Sequence, residues 1–311
     1  MRSPHSYSTE AIVLKRSDLG EADRILTLFT PGKGKIHAVA KGTRRPISKL
    51  AGHVDLLCRS QLQLALGRNL DIVTQAEGRE NFLHLRADLW HMTCGFYLAE
   101  LVDRFVEDHT QHYDIYVLLL ETLRYLDADA NALQQQLASM DANVDAGTHA
   151  KTDASREAGR EAGREAGKEA GREAGTDAIN RVPTTGQHQE GQTRLLLRYF
   201  ELRLLMAVGY EPVLQNCANC ASEIRPVENG FRASLGGVLC PQCSRLWERR
   251  LSLDALKALR YMQRVKWSEA ARMRPDTHLH SELEGVMYDL LRFHLERDLK
   301  SWNFLEMMRK A

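Results

Sequence analysis

Two hydrophobic periods divide the chain. Between Tyr7 and about Val73, apolar and β-branched residues come in short runs, "TEAIVLK", "RILTLFT", "KIHAVAK" and "DLLCRSQLQLAL", separated by the turn signals "DLGEAD", "PGKG" and "KGTRRP". Several short strands at close spacing, with glycine at the corners, predict a small β-barrel. In "KIHAVAK", alternation puts Ile36, Ala38 and Ala40 on one face and Lys35, His37, Val39 and Lys41 on the other, which predicts the cations on the solvent face. From about Glu80 the period lengthens. Leu89, Met92, Phe96, Ala99, Val102 and Val106 recur at steps of three and four, one stripe of an amphipathic helix. "YDIYVLLLETLRYLDA", "TRLLLRYFELRLLMAVGY", "SLDALKALRYMQRV" and "SELEGVMYDLLRFHLERDL" continue in the same style and read as core packing between helices. The predicted class is α+β: a barrel over residues 1–80 followed by a mainly helical domain over 81–311.

One stretch fits neither period. "REAGREAGREAGKEAGREAG", residues 156–175, sits within Ala-, Asp-, Thr- and Gly-rich sequence spanning about 127–192. Glycine at every fourth position costs a helix about 1 kcal/mol each relative to alanine, and no apolar stripe offers a buried face. A solvated, disordered insertion is expected, with a charged interaction arm as the less favoured reading.

Composition narrows the setting. The 311 residues carry 42 basic and 41 acidic side chains, so any charge signal is local. The start "MRSPHSYSTEAIVL" lacks the apolar core of a secretory signal, and no apolar run approaches the ~18 residues of a membrane span. A soluble cytoplasmic protein is expected. Residues 1–80 hold thirteen Lys and Arg against eight Asp and Glu. Six of those cations, Lys33, Lys35, Lys41, Arg44, Arg45 and Lys49, fall in eighteen residues, and no carboxylate occurs from Pro31 to Val54. Lysines on strand surfaces do block edge pairing. An uncancelled positive stretch on a small barrel of the OB type also suits nucleic-acid phosphates, through counterion release. Those six residues, with Arg24 as a weaker member, are the candidate phosphate contacts. Stacking aromatics nearby are few: Tyr7, Phe29 and His37. Binding is therefore expected to be sequence-tolerant and steeply salt-dependent.

The sharpest chemical signal is "CANC" at Cys217 and Cys220 followed by "CPQC" at Cys240 and Cys243, nineteen residues apart. Each CxxC turn presents two thiolates on one side of a knuckle, and two knuckles complete a tetrahedron around one Zn²⁺. Four thiolates close the shell, so the metal is read as structural, in a ribbon over residues 213–246 whose hairpin "GFRASLGGVL" turns at Gly236 and Gly237. Thioredoxin-like redox chemistry is the weaker reading, because it needs a single CxxC opening a helix. Cys58 and Cys94 stand in apolar contexts and read as core residues. "GKGK" is not a phosphate-binding Walker loop, and HExxH, GxSxG and dinucleotide fingerprints are missing, so no catalytic residue is assigned and a non-enzyme is expected. His109, His112, His278 and His280 lie in polar breaks and read as solvated.

With "GEADRILTLFT", the glycine before "KIHAVAKG" and "GTRRPISKLAG" in this order, and a four-cysteine knuckle pair inside a helical region, the chain resembles the bacterial RecO family of recombination mediators. The likeness covers most of the chain outside 127–192. It implies an OB-fold, a helical bundle and an embedded zinc ribbon. It further implies DNA repair and recombination activity at the nucleoid: binding to single- and double-stranded DNA, strand annealing, and partnership with RecR and the C-terminal tail of the single-strand binding protein to load RecA at gaps. A zinc-containing protein-protein adaptor with an incidental basic surface is the alternative.

Overall fold

The computed structural model describes residues 5–157, 184–244, 249–295 and 299–310. Five strands, β1 (Ser6–Leu19), β2 (Asp23–Thr30), β3 (Gly34–Ala40), β4 (Arg59–Ala65) and β5 (Asp71–Glu80), close a barrel in the order β1-β2-β3-β5-β4. All neighbours are antiparallel except β3 and β5, which pair in parallel with Ala38 opposite Asp71. This is the OB-like barrel that the short runs predict. The fifth strand lies beyond the four runs read from the pattern. Residues 55–58 are not strand, and Leu57 takes a φ of 64° there.

Alternation along the strands builds two cores from one sheet. Ala11 and Val13 of β1 point inward with Leu26, Leu28, Ile36, Ala38, Leu62, Leu64 and Val73. Ile12, Leu14 and Phe29 point the other way and are buried in the helical core. Burying one such side chain is worth about 1.5–3 kcal/mol, so one outer wall of the barrel is part of the helical domain rather than a wet face.

The helical part comprises α1 (Leu83–Ala87), α2 (Leu89–Phe105), α3 (Tyr113–Glu157), α4 (Thr184–Ala207), α5 (Leu253–Arg264), α6 (Trp267–Ala270), α7 (Thr277–Leu295) and α8 (Lys300–Lys310). Asp88 caps α2 by accepting from the His91 N–H at 2.9 Å, and Ser252 caps α5 by accepting from Ala255 at 3.1 Å. Because α2 lies between other helices and β1, its burial exceeds one stripe: Cys94, Tyr97, Leu98 and Leu101 are fully enclosed, whereas Leu89 is half exposed.

Two expectations change here. The boundary at residue 127 falls inside α3, where Ala130 is fully buried and Asp129 accepts hydrogen bonds from His91 at 3.0 Å and Thr193 at 2.8 Å. Alanine, leucine and glutamine in that stretch are good helix formers, and the helix continues to Glu157. The repeat lies outside the described residues except for Arg156 and Glu157. His280, expected in solvent, is 5% exposed on α7, and burial pushes its imidazole down to about 4.

Candidate nucleic-acid interface and metal centre

The basic stretch does not form one patch. Strand β3 carries it from Gly34 to Ala40, about 20 Å at ~3.3 Å per residue, which exceeds the ~8 Å Debye length at physiological salt. Lys33 and Lys35 therefore stand at one end of the barrel and Lys41, Arg44, Arg45 and Lys49 follow at the other. Arg24 joins the second group because it pairs with Ala40 in the β2–β3 ladder.

At that second end the loop after β3 folds against the β1–β2 turn. The Gly42 N–H donates to Asp23 at 2.8 Å and the Arg44 N–H to the Ala22 carbonyl at 3.0 Å. Arg24 and Arg44 share Asp18, at 3.3 and 3.6 Å, and Arg44 also donates to the Gly20 carbonyl at 2.9 Å. The absence of acids along the stretch is thus partly offset in space by carboxylates of the preceding turn. Lys41, Arg45 and Lys49 are exposed and, among the described residues, make no ion pair or side-chain hydrogen bond. Asp18 is 56% exposed, so its pairs with Arg24 and Arg44 are worth little. Ile47, 90% exposed in the same loop, adds an apolar tip to the cationic end.

The first end is different. Lys35 is not on the solvent face: its side chain is 11% exposed, Nζ donates to the Asp103 carbonyl at 2.6 Å, and it pairs with Asp103 at 3.5 Å and Asp108 at 3.3 Å. His37 reaches Asp108 at 3.2 Å and the His109 N–H donates to the Lys35 carbonyl at 2.8 Å. Partial burial works against the Asp108 carboxylate, but Lys35 and His37 outweigh it and hold its pKa below the usual value. Gly34 makes the junction possible. Its φ is +63°, and a Cβ there would lie 1.9 Å from the Thr110 carbonyl oxygen. Lys35 therefore locks the barrel to the α2–α3 connection and leaves the set of phosphate contacts. Its partner Asp103 lies 68 residues away, so no local signal announced it. Lys33 lies over the Tyr7 ring at 4.4 Å, and Tyr7 donates to Asp71 at 2.5 Å. Phe29 is fully buried and unavailable for stacking.

The cysteines converge as their spacing predicts. Strands β6 (Asn229–Arg232), β7 (Gly237–Leu239) and β8 (Arg249–Leu251) form a sheet in the order β7-β6-β8, the third strand being additional to the expected hairpin. A Cβ on Gly237 would lie 2.3 Å from the Val213 carbonyl oxygen, so glycine lets the segment entering the first knuckle approach β7. The Sγ atoms of Cys217, Cys220, Cys240 and Cys243 lie within 4.8 Å of one another, with Cys220 and Cys240 at 3.7 Å. A tetrahedron with metal–sulfur bonds of ~2.3 Å has edges of about 3.8 Å, so the cage fits such an ion. Ser222's hydroxyl and N–H push the Cys220 thiol down to about 6. Slight burial raises Cys217, but N–H groups of Cys220, Cys240 and Asn219 outweigh it and lower its pKa. The Asn219 amide favours ionised Cys243, yet the neighbouring Cys220 and Cys240 push Cys243 up to about 11. Protein dipoles support some thiolates but not four together, which suits the cage to a bound metal ion. Cys58 and Cys94 are 1% and 0% exposed, core residues apart from this cage.

A family model for the N-terminal region of recombination protein O matches residues 1–82, and one for its C-terminal region matches 86–144 and 186–303. The chain belongs to the RecO family. The DNA repair protein RecO of Roseiflexus sp. is 35% identical over 98% of this chain and 86% of its own length. Those of Dehalococcoides mccartyi and Symbiobacterium thermophilum are each 30% identical, over 100% and 98% of this chain and 99% and 98% of their own lengths. The family model for the C-terminal region skips 145–185, which contains the whole repeat. Among the described residues, no helix is long and apolar enough to cross a membrane.

Proposed function

We propose that this RecO-family chain is a non-enzymatic recombination mediator acting at the nucleoid. It binds single- and double-stranded DNA, anneals complementary strands, and with RecR helps load RecA onto gaps coated by single-strand binding protein, whose C-terminal tail it engages. The partners rest on family membership. The DNA contact rests on one observation: Lys41, Arg45 and Lys49 project from a single barrel loop without a carboxylate partner among the described residues, beside Arg44 and Arg24 on a weak exposed pair.

Annealing needs no reacting side chain. Two polyanionic strands repel, and a cationic loop that neutralises phosphates while leaving base edges free lowers that repulsion so that pairing proceeds. Lys33 contributes at the far end of β3 as a separate point charge. The four-cysteine cage takes Zn²⁺, with all four positions filled by protein and a structural role.

The test is annealing of labelled complementary strands, naked or coated with single-strand binding protein, across a salt series. The parent accelerates annealing at low salt, and Arg44→Ala with Arg45→Ala slows it and flattens the salt slope of log affinity for the single strand by roughly 1.4 units, at ~0.7 per phosphate. Unchanged annealing in that variant rejects the loop, and partner binding without DNA affinity at ~0.15 M salt identifies an adaptor instead.

A further inference from the structure

A second cationic face lies far along the chain, on α5 and the connection into α7. From Ala255 to Pro275 the cations are Lys257, Arg260, Arg264, Lys266, Arg272 and Arg274, and the one carboxylate is Glu269. A solvated helix normally alternates charge signs at steps of four, yet Arg260 and Arg264 repeat the same sign, an arrangement that disfavours the helix. Lys257 pairs with Asp254 at 3.6 Å, but both side chains are mostly exposed, so the pair is weak. Arg264 and Arg274 donate only to backbone carbonyls, which orients them without cancelling their charge. Burial lowers the Arg260 pKa and the Arg264 charge lowers it further, with Glu223 opposing them only in part.

Lys257, Arg260, Arg264 and Arg274, with Asp254 as the one carboxylate, border an open groove of about 590 Å³ between α5 and Met273–Pro275. Tyr261 lines it, 37% exposed, with no aromatic partner among the described residues. The groove has a fixed wall, because Arg260 donates to the Leu214 carbonyl at 2.7 Å and Gln263 to the Pro212 carbonyl at 3.0 Å, tying α5 to the entry of the four-cysteine ribbon.

We propose that this groove is a second single-strand nucleic-acid site, in which Lys257, Arg264 and Arg274 hold phosphates while a base stacks on Tyr261. An exposed aromatic face among guanidinium groups favours a stacked base over an acidic peptide, which offers charge without a ring. Annealing has a use for two sites on one chain, since each can hold one of the strands to be paired. The inference does not depend on the barrel loop and shares with the proposed function the ligand class and the annealing activity.

The test is native mass spectrometry of the full chain with short oligothymidylate, counting strands per chain, together with fluorescence anisotropy. The parent carries two strands. Lys257→Ala/Tyr261→Ala/Arg264→Ala carries one, as does the barrel variant Lys41→Ala/Arg45→Ala/Lys49→Ala, both with parental circular dichroism. Tyr261→Ala alone weakens the second strand roughly five- to a hundredfold, and Tyr261→Phe keeps it. The groove site is overturned if its triple variant still carries two strands at parental affinity. It is overturned equally if the parent carries a single strand that only the barrel variant loses, or if oligoglutamate occupies the groove and oligothymidylate does not. A single strand lost only by the groove variant supports this site and rejects the barrel loop.

Discussion

Lys35→Met separates a junction lysine from a DNA contact. The substitution keeps the aliphatic stem and removes Nζ, leaving the Asp103 carbonyl without the donor that stands 2.6 Å away, Asp103 with only the longer Lys15 pair at 3.9 Å, and Asp108 with only His37 at 3.2 Å. A hydrogen bond to a charged group is worth about 1.5–3 kcal/mol. The ion pairs add little, because Asp103 and Asp108 are 21% and 48% exposed and water screens them. The expected loss is about 2 kcal/mol, a factor of ~30 in the folding equilibrium, read from the urea midpoint at unchanged slope. A pH signature accompanies it. The lowered Asp108 pKa contributes stability above its unfolded value of ~3.9 and loses it as pH falls through the folded value, so the variant has less acid-dependent stability left to lose. Affinity for a single-stranded oligonucleotide and its salt slope stay at parental values. Unchanged stability together with a slope flatter by ~0.7 units would return Lys35 to the phosphate contacts.

Other consequences are equally direct. One metal ion per chain, measured by elemental analysis, is lost in Cys240→Ala, and chelation then exposes the β6–β7–β8 ribbon to protease while the helical circular dichroism persists. His91, between Asp88 at 2.5 Å and Asp129 at 3.0 Å, has its imidazole lowered by burial but raised more by the two carboxylates, with a net rise. A raised folded pKa means that this stability is complete below ~6.5 and fades as pH climbs through the folded value. Thermal melts of the parent therefore lose stability over that interval, and His91→Gln lessens that loss. Gly34→Ala combines a positive φ with a backbone clash against Thr110 and lowers stability by at least about 2 kcal/mol in urea unfolding.

The parts legible in the sequence are those set by local periodicity. Alternation in β3 placed Ile36, Ala38 and Ala40 in the barrel interior, and CxxC spacing brought four sulfurs together, because each depends on residues a few positions apart. Strand β5 was harder to see. It is mostly polar and half-exposed, with Val73 as its one fully buried residue, and it closes the barrel partly through a parallel pairing that leaves no short-range mark. The candidate site illustrates the limit most clearly. Six cations adjacent in sequence are divided by the length of one strand, and Lys35 is claimed by aspartates that only the fold brings near. Alternation identified its face correctly but not what covers that face. Strand β8 and the continuation of α3 past residue 127 depend likewise on packing, on a β6 neighbour and on the Asp129 joint with His91 and Thr193.

The central claim is that cations of one barrel loop hold DNA by its phosphates. The most direct measurement is the slope of log affinity against log salt for single-stranded DNA, compared between the parent and Lys41→Ala/Arg44→Ala/Arg45→Ala/Lys49→Ala. The expected slope of the variant is flatter by roughly three units, at ~0.7 per phosphate, with the same change on every sequence tried. A variant that keeps the parental slope and affinity contradicts it.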